Sequence, residues 1–187
     1  MSTDFSIPSS IARVLLDQAA IEARVKQLAD QISRDYADVD QLILVGVLKG
    51  SFIFLADLCR HLSIDHRVDF IALSSYGQTT TVTGEVRLLM DVKANLEDRH
   101  VLIVEDIIDS GYTLSYLMRS FLTRSPASLR TCVLLSKPDR RQVDVQIDYL
   151  GFEIPDVWVV GYGLDFADRF RTLPFIGELD PQVYTNE

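Results

Sequence analysis

The stretch VLIVEDIIDSGYTLSYLMRSFL, residues 101–122, drives an apolar run into Glu105 and Asp106, adds two isoleucines, and turns through Asp109, Ser110, Gly111, Tyr112 and Thr113 into a second apolar pattern. The first part reads as a strand over 98–106. The last reads as a helix over 113–122, with Leu114, Leu117, Met118, Phe121 and Leu122 on one stripe. In parallel α/β sheets, ligands bind beyond the carboxyl ends of the strands, so a strand ending in two carboxylates and a glycine turn marks a site. Unpaired amides and the positive end of the helix dipole favour an anion in the turn. Gly111 permits close backbone approach, and the Ser110 and Thr113 hydroxyls can donate to phosphate oxygens. Helix capping explains one acid well but not Glu105 beside Asp106, where two like charges cost energy unless hydroxyls or a cation meet them. A ligand with a terminal phosphate and an adjacent diol suits both halves.

The same strand–turn–helix grammar occurs upstream. QLILVGV (41–47) reads as a strand buried on both faces and SFIFLADLCRHL (51–62) as the following helix, with LKGS (48–51) between them like a second phosphate loop. From Asp17 to about Tyr36, Ile21, Val25, Leu28 and Ile32 recur at helical spacing, with Asp17 as N-cap. RVDFIALSSY (67–76), EVRLLMD (85–91), SLRTCVLLSK (128–137) and DVWVVGY (156–162) read as further strands before an irregular tail. GQTTTVTGE (77–85) is polar and flanked by glycines, and mobility is expected there. Strands alternating with helices predict an α/β fold: one domain over 1–187, a mostly parallel twisted sheet flanked by helices on both faces.

The 187 residues are 48% hydrophobic and 24% charged, with a net charge of −9. That charge argues against nonspecific nucleic-acid or anionic-membrane partners, so a phosphate-bearing ligand must be captured locally. No apolar run approaches the roughly 20 residues that span a bilayer, and MSTDFSIPSS does not read as a signal peptide; a cytoplasmic enzyme is expected. Cys59 and Cys132 sit in apolar contexts and read as buried, reduced core residues. His61, His66 and His100 fit no metal-ligand spacing, and a zinc site is not expected.

EDIIDSGYT (105–113) resembles the phosphoribosyl-diphosphate motif of the type I phosphoribosyltransferases. VGVLKGSFIFLADL (45–58), LSSYG (73–77), LLSKPDRR (134–141), GFEIPDVWVVGYGLD (151–165) and RFRTLP (169–174) extend the resemblance, in order, to the hypoxanthine-guanine phosphoribosyltransferases. It implies their fold, with a small hood formed from the chain ends, and a magnesium-dependent transfer of a 5-phosphoribosyl group onto N9 of hypoxanthine or guanine. It also implies a homo-oligomer, dimer or tetramer.

The resemblance also distributes roles. Glu105 and Asp106 would hold the ribose hydroxyls, partly through Mg2+, because carboxylates accept from a diol and attract the metal. Asp109 would be the general base that takes the N7 proton as N9 attacks. The turn Ser110, Gly111, Tyr112, Thr113 would hold the 5-phosphate; Tyr112 stands where some members have lysine and is given no side-chain role. Lys49 and Gly50, next to a Leu48–Lys49 peptide that can be cis in the family, would meet pyrophosphate, as would the planar fork of Arg171. Lys137 would donate to the purine 6-oxo group, Trp158 would stack on the base, and Val159 would read its edge through the backbone. Asp165 would serve both the base edge and a second magnesium. Ser75 and Tyr76 would begin a lid over 77–85 that keeps water from the reacting sugar carbon. Alternatives are a xanthine or pyrimidine transferase, and a regulatory relative that binds RNA, which a basic surface would betray.

Overall fold

The structure is a computed structural model and describes residues 7–75 and 86–185. The chain order is β1 (Ile11–Leu16), α1 (Gln18–Asp35), β2 (Leu42–Leu48), α2 (Phe52–His61), β3 (His66–Ser75), β4 (Val86–Met90), β5 (His100–Ile108), α3 (Tyr112–Leu122), β6 (Ser128–Ser136), β7 (Tyr149–Glu153), β8 (Val159–Val160), β9 (Ile176–Leu179) and α4 (Pro181–Tyr184). A six-stranded sheet runs β4-β3-β2-β5-β6-β7, and a three-stranded sheet runs β1-β9-β8. All pairs of the large sheet are parallel except β3 with β4. The small antiparallel sheet joins both ends of the chain and is the expected hood.

Alternation along the central strands builds two cores. Leu42 and Leu44 of β2, Leu102 and Val104 of β5, and Cys132 and Leu134 of β6 face α1 and α2. Ile43, Val45 and Val47, Val101 and Ile103, and Val133 face Leu114, Leu117 and Phe121 of α3. A side-chain period of two forces this division, and burial on both faces explains why these strands are continuously apolar. Ile21, Val25, Leu28 and Ile32 of α1 are each at most 1% exposed, and burying such side chains stabilises the fold by roughly 1.5–3 kcal/mol apiece. Asp17 caps α1 by accepting from the Ala20 amide at 2.8 Å.

Several expectations are corrected. The strand expected to end at Asp106 continues to Ile108, because β6 keeps pairing alongside it through Ile107↔Leu135 and Ile108↔Ser136. Leu122, placed on the α3 stripe, is 57% exposed; the stripe closes on Phe121, one residue earlier around the helix. The strand expected over 156–162 pairs only at Val159 and Val160, since Gly161, Tyr162 and Gly163 take positive φ and turn the chain. β1, β7 and β9 were not expected as strands. Cys132 is buried, but Cys59 is only partly so. Both are free, and burial raises both thiols, Cys59 to about 11, so neither is a ready nucleophile. Tyr76 and the 77–85 segment lie outside the described residues, as does the side chain of Ser75 at the end of β3. No helix of the described residues is long and apolar enough to cross a membrane.

Candidate functional site

Three cavities meet where β5 ends, and Ile107 lines all of them. Strand alternation decides what each receives. Glu105 follows the odd-numbered residues toward α3 and borders a cavity of about 100 Å³ with Asp109, Ser110, Gly111 and Thr113. Asp106 follows the even-numbered ones and borders a cavity of about 600 Å³ with Lys49, Gly50, Asp165 and Arg171. Asp109, just past the strand, borders the small cavity and also a third of about 340 Å³, which Lys137, Arg140, Asp156, Trp158, Val159 and Tyr184 share.

The small cavity sits at the start of α3. Gly111 holds φ 91° as the residue before the helix, and a Cβ there would lie 2.7 Å from the Val143 carbonyl. Only glycine takes this position without strain. Tyr112 opens α3, and among the described residues that line the cavity none is lysine or arginine.

The large cavity is built by two loops. The Leu48–Lys49 peptide is cis, as the resemblance implied. Gly50 lies so close to Asp106 that a Cβ there would fall inside the carboxylate. Arg171 forms an ion pair with Asp165 at 2.7 Å and donates to the Gly163 carbonyl at 2.8 Å and to Asp168 at 3.0 Å. Asp165, expected at the base edge as well, is not among the residues lining the 340 Å³ cavity.

In that third cavity a chain of charges is already formed. Arg140 Nε donates to Asp109 Oδ1 at 3.0 Å, and its Nη1 lies 3.6 Å from Asp156. Asp156 in turn faces Lys137 Nζ at 3.6 Å. Trp158, 47% exposed, borders the cavity, with Phe166 edge-on and Tyr184 stacked at centroid distances of 5.5 Å. Val159 is held by pairing with Glu178. Arg140, Asp156 and Tyr184 were not expected. The first two lie inside motifs whose neighbours drew attention; Tyr184 reaches the cavity only through the register of β9.

Burial, and then repulsion from Asp106, raise the Glu105 carboxyl well above its usual range, and burial raises Asp106 to about 6. Glu105 Oε2 is buried without a hydrogen-bond partner. Glu105 is thus short of positive charge and of donors, whereas backbone amides and the charge of Arg171 partly offset the burial of Asp106. Among the described residues no cluster of three or more His, Cys, Asp or Glu could hold a metal alone, and the three expected ligands divide, with Glu105 in one cavity and Asp106 and Asp165 in another. Magnesium nevertheless fits the second pair, because it binds through one or two carboxylates and completes its shell with water and substrate oxygens.

Residues 13–167 match the family described as phosphoribosyl transferase domain. The chain is 47% identical over 182 residues to the hypoxanthine-guanine phosphoribosyltransferase of Mycobacterium tuberculosis, covering 95% of this chain and 90% of that one. It is 48% identical over 167 residues to the hypoxanthine phosphoribosyltransferase of Escherichia coli, with coverage of 89% and 94%. The hypoxanthine phosphoribosyltransferase of Trypanosoma cruzi in complex with the product IMP has a similar structure, with a TM-score of 0.89 at 44% identity, covering 96% of this chain and 100% of that one. A site of three joined cavities around one strand end thus lies in a chain that belongs to the phosphoribosyltransferase family, among the hypoxanthine-guanine phosphoribosyltransferases.

Proposed function

We propose that the protein transfers the 5-phosphoribosyl group of phosphoribosyl diphosphate to N9 of hypoxanthine or guanine, giving IMP or GMP and pyrophosphate. The observation that carries the proposal is the junction at Ile107, where a cavity at the start of α3, a cavity bearing Lys49 and Arg171 beside Asp106 and Asp165, and an aromatic cavity share one wall. These suit the 5-phosphate, the pyrophosphate and the base respectively. The relatives reported above are named for hypoxanthine and guanine, which favours these acceptors over xanthine or a pyrimidine.

In this reading the turn Ser110–Thr113 holds the 5-phosphate with amides, hydroxyls and the dipole of α3. Glu105 accepts from the ribose hydroxyls, which would satisfy its partnerless oxygen. Trp158 stacks on the purine, Lys137 donates to its 6-oxo group, and Val159 offers backbone to its edge. The N9 lone pair forms the bond to the anomeric carbon, the bonding pair to pyrophosphate leaves with it, and Asp109 takes the N7 proton. Lys49 and Arg171 receive the charge of the leaving group. Asp106 and Asp165 would hold magnesium, which when bound supplies positive charge toward the pyrophosphate oxygens.

The proposal places the enzyme in the cytoplasm as a dimer or tetramer. Exposed Leu88, Leu89 and Met90 on the edge strand β4, with Val68 of β3, support self-association. The deciding experiment is incubation with phosphoribosyl diphosphate, magnesium and each of hypoxanthine, guanine, xanthine and uracil, following pyrophosphate release. Release with hypoxanthine or guanine is expected; release with uracil alone, or with no base, would overturn the reading.

A further inference from the structure

Lys49 and Arg171 come from loops far apart in sequence, yet both donate to a single oxygen. Asp168 Oδ1 lies 3.0 Å from Lys49 Nζ and 3.0 Å from Arg171 Nη2. We propose that Asp168 is an internal stand-in for pyrophosphate, holding the two cations in place while the cavity is empty and competing with the leaving group for them. The inference rests on the assignment of that cavity to pyrophosphate.

The local backbone is built to deliver this carboxylate. Ala167, Asp168 and Phe170 take positive φ of 49°, 57° and 74°, an uncommon conformation that non-glycine residues hold only when their surroundings impose it. The Asp168 amide is fixed by Asp165 Oδ2 at 2.8 Å, and Phe166 and Arg169 exchange backbone bonds at 3.2 and 3.0 Å. The Asp168 carboxylate thus meets one ammonium and one guanidinium from opposite loops.

The contact is also built to be given up. The side chains of Asp168 and Lys49 are 70% and 69% exposed, while that of Arg171 is only 19% exposed. Exposed ion pairs are weak, so a polyanion that meets both cations at once can displace one carboxylate. Arg171 stays anchored to Asp165 and the Gly163 carbonyl throughout. When pyrophosphate must depart, Asp168 offers the cations a partner again. Asp168 is therefore a positioning residue whose charge opposes leaving-group binding, and removing that charge should tighten binding. A residue that merely shaped the loop would have the opposite effect.

The test is calorimetric titration of inorganic pyrophosphate, with magnesium present, into the wild-type full chain, Asp168→Asn and Asp168→Glu. The asparagine variant should bind about two- to fivefold more tightly, with the glutamate variant near wild type. Its KM for pyrophosphate in the reverse reaction with IMP should fall by the same factor, while IMP affinity stays constant. Unchanged or weaker pyrophosphate binding by Asp168→Asn would overturn the inference, as would equal tightening in Asp168→Glu. If wild type itself failed to bind pyrophosphate, the cavity assignment would fall instead.

Discussion

The turn at Ser110–Thr113 and the turn at Lys49–Ser51 both leave a buried parallel strand and both feed a helix, yet they meet their ligands with different chemistry. The first offers amides, hydroxyls and a helix start, with no cation among the described residues of its cavity lining. The second offers Lys49, faces Arg171, and finds both cations already paired. In the proposed reaction the first ligand group keeps its charge from substrate to product, and the second arrives attached and departs free. Fixed neutral dipoles suffice for a group that does not change. A group that must be released is better met by charges with an alternative partner nearby.

The largest effect should fall between the two turns. Asp109→Asn removes the proton acceptor and should lower kcat by about 10²-fold or more, with IMP binding largely preserved in a fluorescence or calorimetric titration. Near-normal turnover would detach chemistry from this junction. Next come the glycines that let each turn approach its cavity. Gly50→Ala pushes a methyl group into Asp106, and kcat/KM for phosphoribosyl diphosphate should drop by roughly 10- to 100-fold, as expected when a positioning contact is displaced. Gly111→Ala meets the penalty of φ 91°, about 1–2 kcal/mol, and should lower Tm by about 2–8 °C while weakening IMP more than pyrophosphate. Equal losses of both ligands in both variants would erase the contrast between the two turns.

The smallest effect concerns pH. A carboxyl whose folded pKa is raised stabilises the protein fully below its unfolded value, and that contribution is lost as pH rises through the folded value. For Asp106 the window runs from its ordinary 3.8 to about 6. In the free protein at pH 7.5, Asp106→Asn should therefore raise Tm, the gain fading as pH falls toward 4. A lower Tm for the variant at pH 7.5, read by calorimetry without magnesium or substrate, would show that the buried charge is compensated.

The central strands were legible because burial on both faces leaves continuous apolar runs, and α1 because Asp17 and a four-residue stripe mark its start and its inner face. β1 and β9 were not, since each makes sense only against the other: Ile11 pairs with Leu179 across nearly the whole chain, and no local pattern encodes such a distant partner. β7 is five residues after a polar segment and carries a glycine. The sequence suggested the acid–glycine turn from chemistry alone and the remaining site residues by resemblance. It did not reveal that Glu105 and Asp106 serve different cavities, because alternation along the 98–106 run puts them on opposite faces without saying what each face meets. Arg140 and Asp156 read as lone surface charges in the sequence and acquire meaning only with Asp109 and Lys137 beside them.

Trp158 is the sole tryptophan of the chain, and it stands on the wall of the cavity proposed for the base, in contact with Tyr184. The protein thus carries its own optical label at the position of interest: indole emission should be quenched by whatever stacks there, with no second chromophore of its kind to dilute the signal. Occupancy of the aromatic cavity can be followed separately from the two phosphate cavities, in unmodified protein and in real time, which turns the order of substrate arrival and product departure into a stopped-flow measurement.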